Sequence, residues 1–124
     1  MAKVLVVDDS NFARLSICNI LKTAGCETAE AANGLEGLAK LEEFNPDCIL
    51  SDLLMPEMDG IEFLAALKEK GNRVPVIVLT ADIQESKKQL CLSLGAAGFI
   101  NKPPQKLEII SLVNQILNQG EEGR

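Results

Sequence analysis

The chain has 124 residues, 47% of them hydrophobic, which is the length of one domain with enough apolar material to build a core. A formal net charge of −6 without a basic cluster argues against nucleic acid as a ligand, because Lys and Arg contacts to phosphates dominate that affinity, and the absence of histidine excludes imidazole metal sites, imidazole bases and a phosphohistidine of its own. No apolar stretch approaches a membrane span and Met1-Ala2-Lys3 leads into a strand-like run without a signal-peptide pattern, so no membrane and a cytoplasmic location are expected.

Strand-length apolar runs alternate with longer segments of helical period. The first strand is read at residues 3–7. Ser10 is a good N-cap for a helix carrying Ile17, Ile20, Leu21 and Ala24, which Gly25 stops. A short second strand is expected at 26–30, and Asn33 then caps a helix with Leu35, Leu38, Leu41 and Phe44 that Asn45-Pro46 closes. The third strand covers 48–51. The turn Met55-Pro56-Glu57-Met58-Asp59-Gly60 leads into a helix with Ile61, Leu64, Ala65 and Leu67, ended by Gly71-Asn72. A fourth strand at 75–79, a helix at 82–94 stopped by Gly95, and a fifth strand at 97–100 follow. Pro103-Pro104 starts a last helix that fades before Gly120. On that helix Ile109, Ile110, Val113, Ile116 and Leu117 share one stripe, with Leu107 and Leu112 off it as surface leucines.

Alternating elements imply parallel strands joined by right-handed crossovers, and the continuously apolar third and fourth strands suit a sheet covered by helices on both faces. The fold class is α/β: a doubly wound, five-stranded parallel sheet, flavodoxin-like, with no repeat and no room for a second domain. The four cysteines, Cys18, Cys26, Cys48 and Cys91, have no C-x-x-C spacing and read as small core hydrophobes in a reducing compartment.

Asp8 and Asp9 follow the first strand, Asp52 the third, Thr80 the fourth and Lys102 the fifth. If the strands are parallel neighbours, these groups emerge at the sheet edge where such folds bind ligands. Adjacent carboxylates repel unless a cation intervenes, and oxygen ligands suit Mg²⁺. A carboxylate at Asp52 can accept a phosphoryl group as an acyl phosphate, with Lys102 and Thr80 able to meet the phosphoryl oxygens. Taken singly, each residue has a plainer reading: a helix cap for Asp8 or Asp9, a turn residue for Thr80, a surface lysine for Lys102.

The segments Val6-Val7-Asp8-Asp9-Ser10, Ser51-Asp52-Leu53-Leu54-Met55-Pro56-Glu57-Met58-Asp59-Gly60, Leu79-Thr80-Ala81 and Gly98-Phe99-Ile100-Asn101-Lys102-Pro103, in this order, resemble response-regulator receiver domains of the single-domain, CheY-like type over nearly the whole chain. The resemblance implies strand order 2-1-3-4-5, a receiver domain at 1–120 and a frayed tail at 121–124. It implies Asp52 as phosphoacceptor, Mg²⁺ held by Asp9, Asp52 and the Leu54 backbone carbonyl with Asp8 acting through water, and a Thr80–Phe99 switch. A cis bond between Lys102 and Pro103 is also implied. The implied partners are a sensor histidine kinase or phosphotransfer protein, a downstream protein target on the face of the fourth helix, fifth strand and fifth helix, and a phosphatase. Such a protein is not an enzyme beyond its own phosphorylation and dephosphorylation. Chemotaxis-type signalling and a phosphorelay intermediate both fit. Leu54, Asp82 and Pro104 depart from the family pattern, in that position 54 is apolar where a polar residue is usual and Pro104 replaces a common aromatic.

Two rivals fit less well. A flavodoxin-like electron carrier would need a Ser/Thr/Gly-rich phosphate loop where Asp8-Asp9 stands. An aspartate-nucleophile phosphohydrolase would usually need a second Asp at position 54, which is Leu.

Overall fold

The computed structural model describes residues 2–81 and 84–122. Strands β1 (Lys3–Val7), β2 (Glu27–Ala31), β3 (Cys48–Asp52), β4 (Val76–Thr80) and β5 (Ala96–Asn101) alternate with helices α1 (Asn11–Thr23), α2 (Gly34–Phe44), α3 (Gly60–Glu69), α4 (Glu85–Ser93) and α5 (Lys106–Glu122). The strands form one sheet in the order β2-β1-β3-β4-β5, every neighbouring pair parallel. Both β3 and β4 are buried along their whole length, as their unbroken apolar runs require.

Successive strand residues point to opposite faces and divide the core in two. Val4, Val6, Leu50, Ile77 and Leu79 pack with Ile17 and Leu21 of α1 and Ile109, Val113 and Ile116 of α5. Leu5, Val7, Ile49 and Val78 pack with Leu41 of α2, Phe63, Leu64 and Leu67 of α3 and Cys91 of α4.

Ends of elements differ from the sequence expectation where tertiary bonds compete for them. Strand β2 begins at Glu27, not Cys26, because α1 closes in a Schellman motif: Gly25, at φ 89°, donates to Lys22 O and Cys26 N donates to Leu21 O at 3.0 Å. With its N–H committed, Cys26 leaves the first ladder position to Glu27, opposite Lys3. Helix α4 starts at Glu85 after an extended Gln84, whereas the expected start, Asp82, lies outside the described residues. Helix α5 begins at Lys106, not at Pro103-Pro104, since a residue preceding proline is pushed out of the α region. It continues to Glu122, past Gly120, because one glycine costs only about 1 kcal/mol in a helix. Leu112, expected off the apolar stripe, packs against the α1–α5 core cluster, its methyl 3.2 Å from where a Cβ on Gly98 would stand. The Lys102–Pro103 bond is cis.

All four cysteines are free and buried, and burial pushes the Cys48 thiol up to about 12. That is the environment of a core side chain.

Candidate functional site

Asp8 leaves β1 while still holding the ladder, its N–H donating to Ala31 O at 3.0 Å. The side chain is fully buried, and such a carboxylate is tolerable only when every oxygen is bonded. Ser10 N donates to Asp8 Oδ1 at 2.9 Å and Lys102 Nζ to Asp8 Oδ2 at 2.9 Å. The cap of α1 is Ser10, whose Oγ accepts from Ala13 N at 3.2 Å, so capping does not explain the aspartates. Asp9 is exposed beside it.

Asp52 is the last residue of β3 and only 8% exposed. Its Oδ1 accepts from Leu53 N at 2.8 Å and its Oδ2 lies 3.2 Å from Lys102 Nζ. Lys102 therefore spans two aspartates. Its main chain is fixed as well, Lys102 N donating to Thr80 O at 2.8 Å. Thr80, the last residue of β4, is nearly buried at the same edge.

The carboxylates of Asp8, Asp9 and Asp52 each place an oxygen within 4.8 Å of the others. Three negative groups face one ammonium there, and the charges act on one another. Burial, and then the Asp8 charge, push the Asp52 carboxyl above its ordinary value against the pull of Lys102. Burial pulls the Lys102 ammonium down, but its hydrogen bond to Asp8 and the charges of Asp52 and Asp8 outweigh this and hold it raised and protonated. The cluster is short of positive charge and made of hard oxygen donors. A donor set of this kind, gathered this closely, suits Mg²⁺, which binds through one or two carboxylates and keeps several waters.

The sequence-read residues thus divide as follows. Asp8, Asp9, Asp52 and Lys102 meet directly, and Thr80 joins them through the Lys102 backbone. Leu54 follows on the loop after β3 with its side chain 71% exposed. Phe99 lies opposite Val78 in the β4–β5 pairing, half-buried against the α2–α4 side of the core with Lys88 Nζ 5.6 Å from its ring centre.

Two contributions to the site escaped the sequence reading. Arg14 of α1 donates to Asp8 O at 2.6 Å and pairs with Glu30 of β2 at 3.0 Å. Gly60, at the first turn of α3, donates to Leu53 O at 2.9 Å and lies so close to Asp52 that an added Cβ would stand 2.5 Å from its carbonyl oxygen. The capping box of Asp59 and Glu62 fixes where α3 begins and was visible as Asp-x-x-Glu; the contact with Asp52 was not.

Residues 4–114 match the family model described as the response regulator receiver domain. The chain is 40% identical over 116 residues to the chemotaxis protein CheY of Listeria monocytogenes, covering 93% of this chain and 98% of that protein. It is 47% identical over 105 residues to a protein-glutamate methylesterase/protein-glutamine glutaminase of Treponema denticola, covering 82% of this chain but only 28% of that protein. Among solved structures, chemotaxis protein CheY4 of Vibrio cholerae superposes with a TM-score of 0.88 at 36% identity, over 94% of this chain and 98% of that one.

Proposed function

The chain belongs to the response regulator receiver domain family of two-component signalling, and we propose that it takes a phosphoryl group onto Asp52 from a histidine kinase or phosphotransfer protein and signals by protein contact in the cytoplasm. The observation that carries this reading is the convergence of Asp8, Asp9, Asp52 and Lys102 at the strand ends. An Asp52 oxygen forms the new bond to phosphorus while the phosphorus–nitrogen bond of the donor phosphohistidine breaks, its electron pair returning to the imidazole. Asp9, Asp52 and the Leu54 carbonyl would hold Mg²⁺, with Asp8 acting through water. The bound ion supplies positive charge to the phosphoryl oxygens. Lys102 pairs with one of those oxygens and the Thr80 hydroxyl donates to another. Beyond this self-directed chemistry the protein is not an enzyme.

Incubation with acetyl phosphate, followed by intact mass, is expected to yield one phosphoryl adduct that requires Mg²⁺. An adduct formed equally in excess EDTA overturns the reading.

Output through α4, β5 and α5 is supported by the light anchoring of α4, which has Cys91 as its buried residue and no side-chain bond at its N-cap. Phosphorylation biases two conformers there, Thr80 moving toward the phosphoryl group and Phe99 turning inward. Thr80→Ala is therefore expected to accept phosphate on Asp52 yet to lose most of the beryllofluoride-induced NMR shifts around Phe99. A wild-type response in Thr80→Ala would place the coupling elsewhere. Chemotaxis-type signalling is favoured by the CheY relative, which this chain matches over nearly its full length.

The phosphorylated state is expected to be long-lived without a phosphatase. Leu54 offers no hydrogen bond to a water in line with the phosphorus, and poor placement costs orders of magnitude in rate. Asp82, another departure from the family pattern, lies outside the described residues. Leu54→Asn is expected to hasten dephosphorylation about tenfold, and an unchanged rate counts against this role.

A further inference from the structure

We infer that Arg14 is the positioning residue of the cation site: it fixes the main chain between Asp8 and Asp9, and so the approach of the Asp9 carboxylate, without touching the ion. This rests on the Mg²⁺ reading above. The Arg14 side chain is only 14% exposed, and each of its three nitrogens has a partner. Nη1 donates to Asp8 O at 2.6 Å, Nε to Glu30 Oε1 at 3.0 Å, and Nη2 to Asn11 Oδ1. A guanidinium is planar, so anchors on two sides fix the direction of the third bond. With the amide of Asp8 on Ala31 O and its carboxylate on Ser10 and Lys102, the Arg14 bond completes the restraint of every polar atom of Asp8. Asp9 is the next residue and is exposed, so the preceding peptide, more than any packing, sets the direction in which its side chain leaves the main chain.

Glu30 balances the charge of Arg14, which separates geometry from electrostatics. On Coulomb grounds alone, deleting a cation beside three carboxylates tightens Mg²⁺ binding. Releasing the Asp8 carbonyl weakens it. The two roles predict opposite signs.

The test is a Mg²⁺ titration of the unphosphorylated full chain, followed by amide NMR shifts of Asp9 and Leu53. Arg14→Ala is expected to bind Mg²⁺ about tenfold more weakly, the lower end of the roughly 10–100-fold effect of outer-sphere partners. Arg14→Lys keeps the charge but not the fork and is expected to stay weak. Asn11→Ala removes one anchor and no charge, and is expected to weaken binding about threefold; it keeps the test decisive if Arg14→Ala does not fold. In acetyl phosphate reactions the Mg²⁺ needed for half-maximal rate should rise more than the maximal rate falls. Unchanged or tighter binding in Arg14→Ala, full rescue by Arg14→Lys, or wild-type affinity in Asn11→Ala overturns the inference while leaving the Mg²⁺ site intact. A wild type that shows no Mg²⁺ response overturns both.

Discussion

Asp52→Asn is expected to abolish phosphoryl capture completely and, in the absence of Mg²⁺, to make the fold more stable. The first effect is chemical: an amide oxygen is too weak a nucleophile for acyl phosphate formation, and no second carboxylate occupies its place at the end of β3. The second follows from charge. Burial and the Asp8 carboxylate raise the Asp52 pKa in the folded chain above its ordinary value of 3.8. A carboxyl raised in the folded state favours folding while protonated, and that contribution is lost as pH rises from the unfolded value through the folded one. At neutral pH the ionised Asp52 therefore opposes folding. Asparagine removes that charge, retains an acceptor for Leu53 N, and leaves Lys102 its partner Asp8.

Urea midpoints in EDTA should accordingly favour Asp52→Asn at neutral pH, and the advantage should shrink as pH falls toward the carboxylate range. Mg²⁺ should stabilise the wild type by mass action, about 2.7 kcal/mol at one hundred times its dissociation constant, or on the order of 10 °C in Tm. The variant should gain less. A phosphoryl adduct that persists in Asp52→Asn refutes the assignment of the acceptor, and a variant less stable than the wild type at neutral pH refutes the charge argument.

Gly60→Ala is expected to damage both stability and phosphorylation. Its Cβ would meet Asp52 O at 2.5 Å and Leu53 Cα at 2.9 Å, and both are backbone atoms that cannot swing aside. Overpacking of this kind costs about 1–3 kcal/mol. Either α3 retreats from the sheet or the peptide after Asp52 moves, and a shift of about 1 Å at a reacting group can cost about a hundredfold in rate. Gly34→Ala provides the comparison: its Cβ would meet Met58 Cγ at 2.6 Å and Sδ at 2.9 Å, part of a flexible side chain, although Met58 O at 2.9 Å is rigid. The expected order of damage to the phosphorylation rate is Gly60→Ala well above Gly34→Ala. Thermal unfolding and acetyl phosphate kinetics on the two variants measure it, and a Gly60→Ala protein that matches the wild type in both would show that α3 is free to retreat.

The sequence by itself determined what depends on neighbours along the chain. Unbroken apolar runs marked β3 and β4, side-chain oxygens at Ser10 and Asn33 marked the starts of α1 and α2, and Gly25 marked where α1 turns. Its motifs also placed Asp8, Asp9, Asp52, Thr80 and Lys102 at strand ends, and the resemblance they carry supplied the strand order. Tertiary structure decided what depends on bonds between distant segments. Cys26 looks strand-like until α1 takes its N–H, and Leu112 looks exposed until β5 presents a glycine beneath it. Asp8 and Asp9 read alike, yet one is buried with both oxygens bonded and the other faces solvent. Arg14 has one local partner, Asn11, but the two that tie it to the site, Asp8 just after β1 and Glu30 on β2, meet its guanidinium only through the β1–β2 pairing. Periodicity and capping are local physics, repeated every few residues and legible in a string. The hydrogen-bond partner of a buried polar atom is fixed only when the sheet assembles.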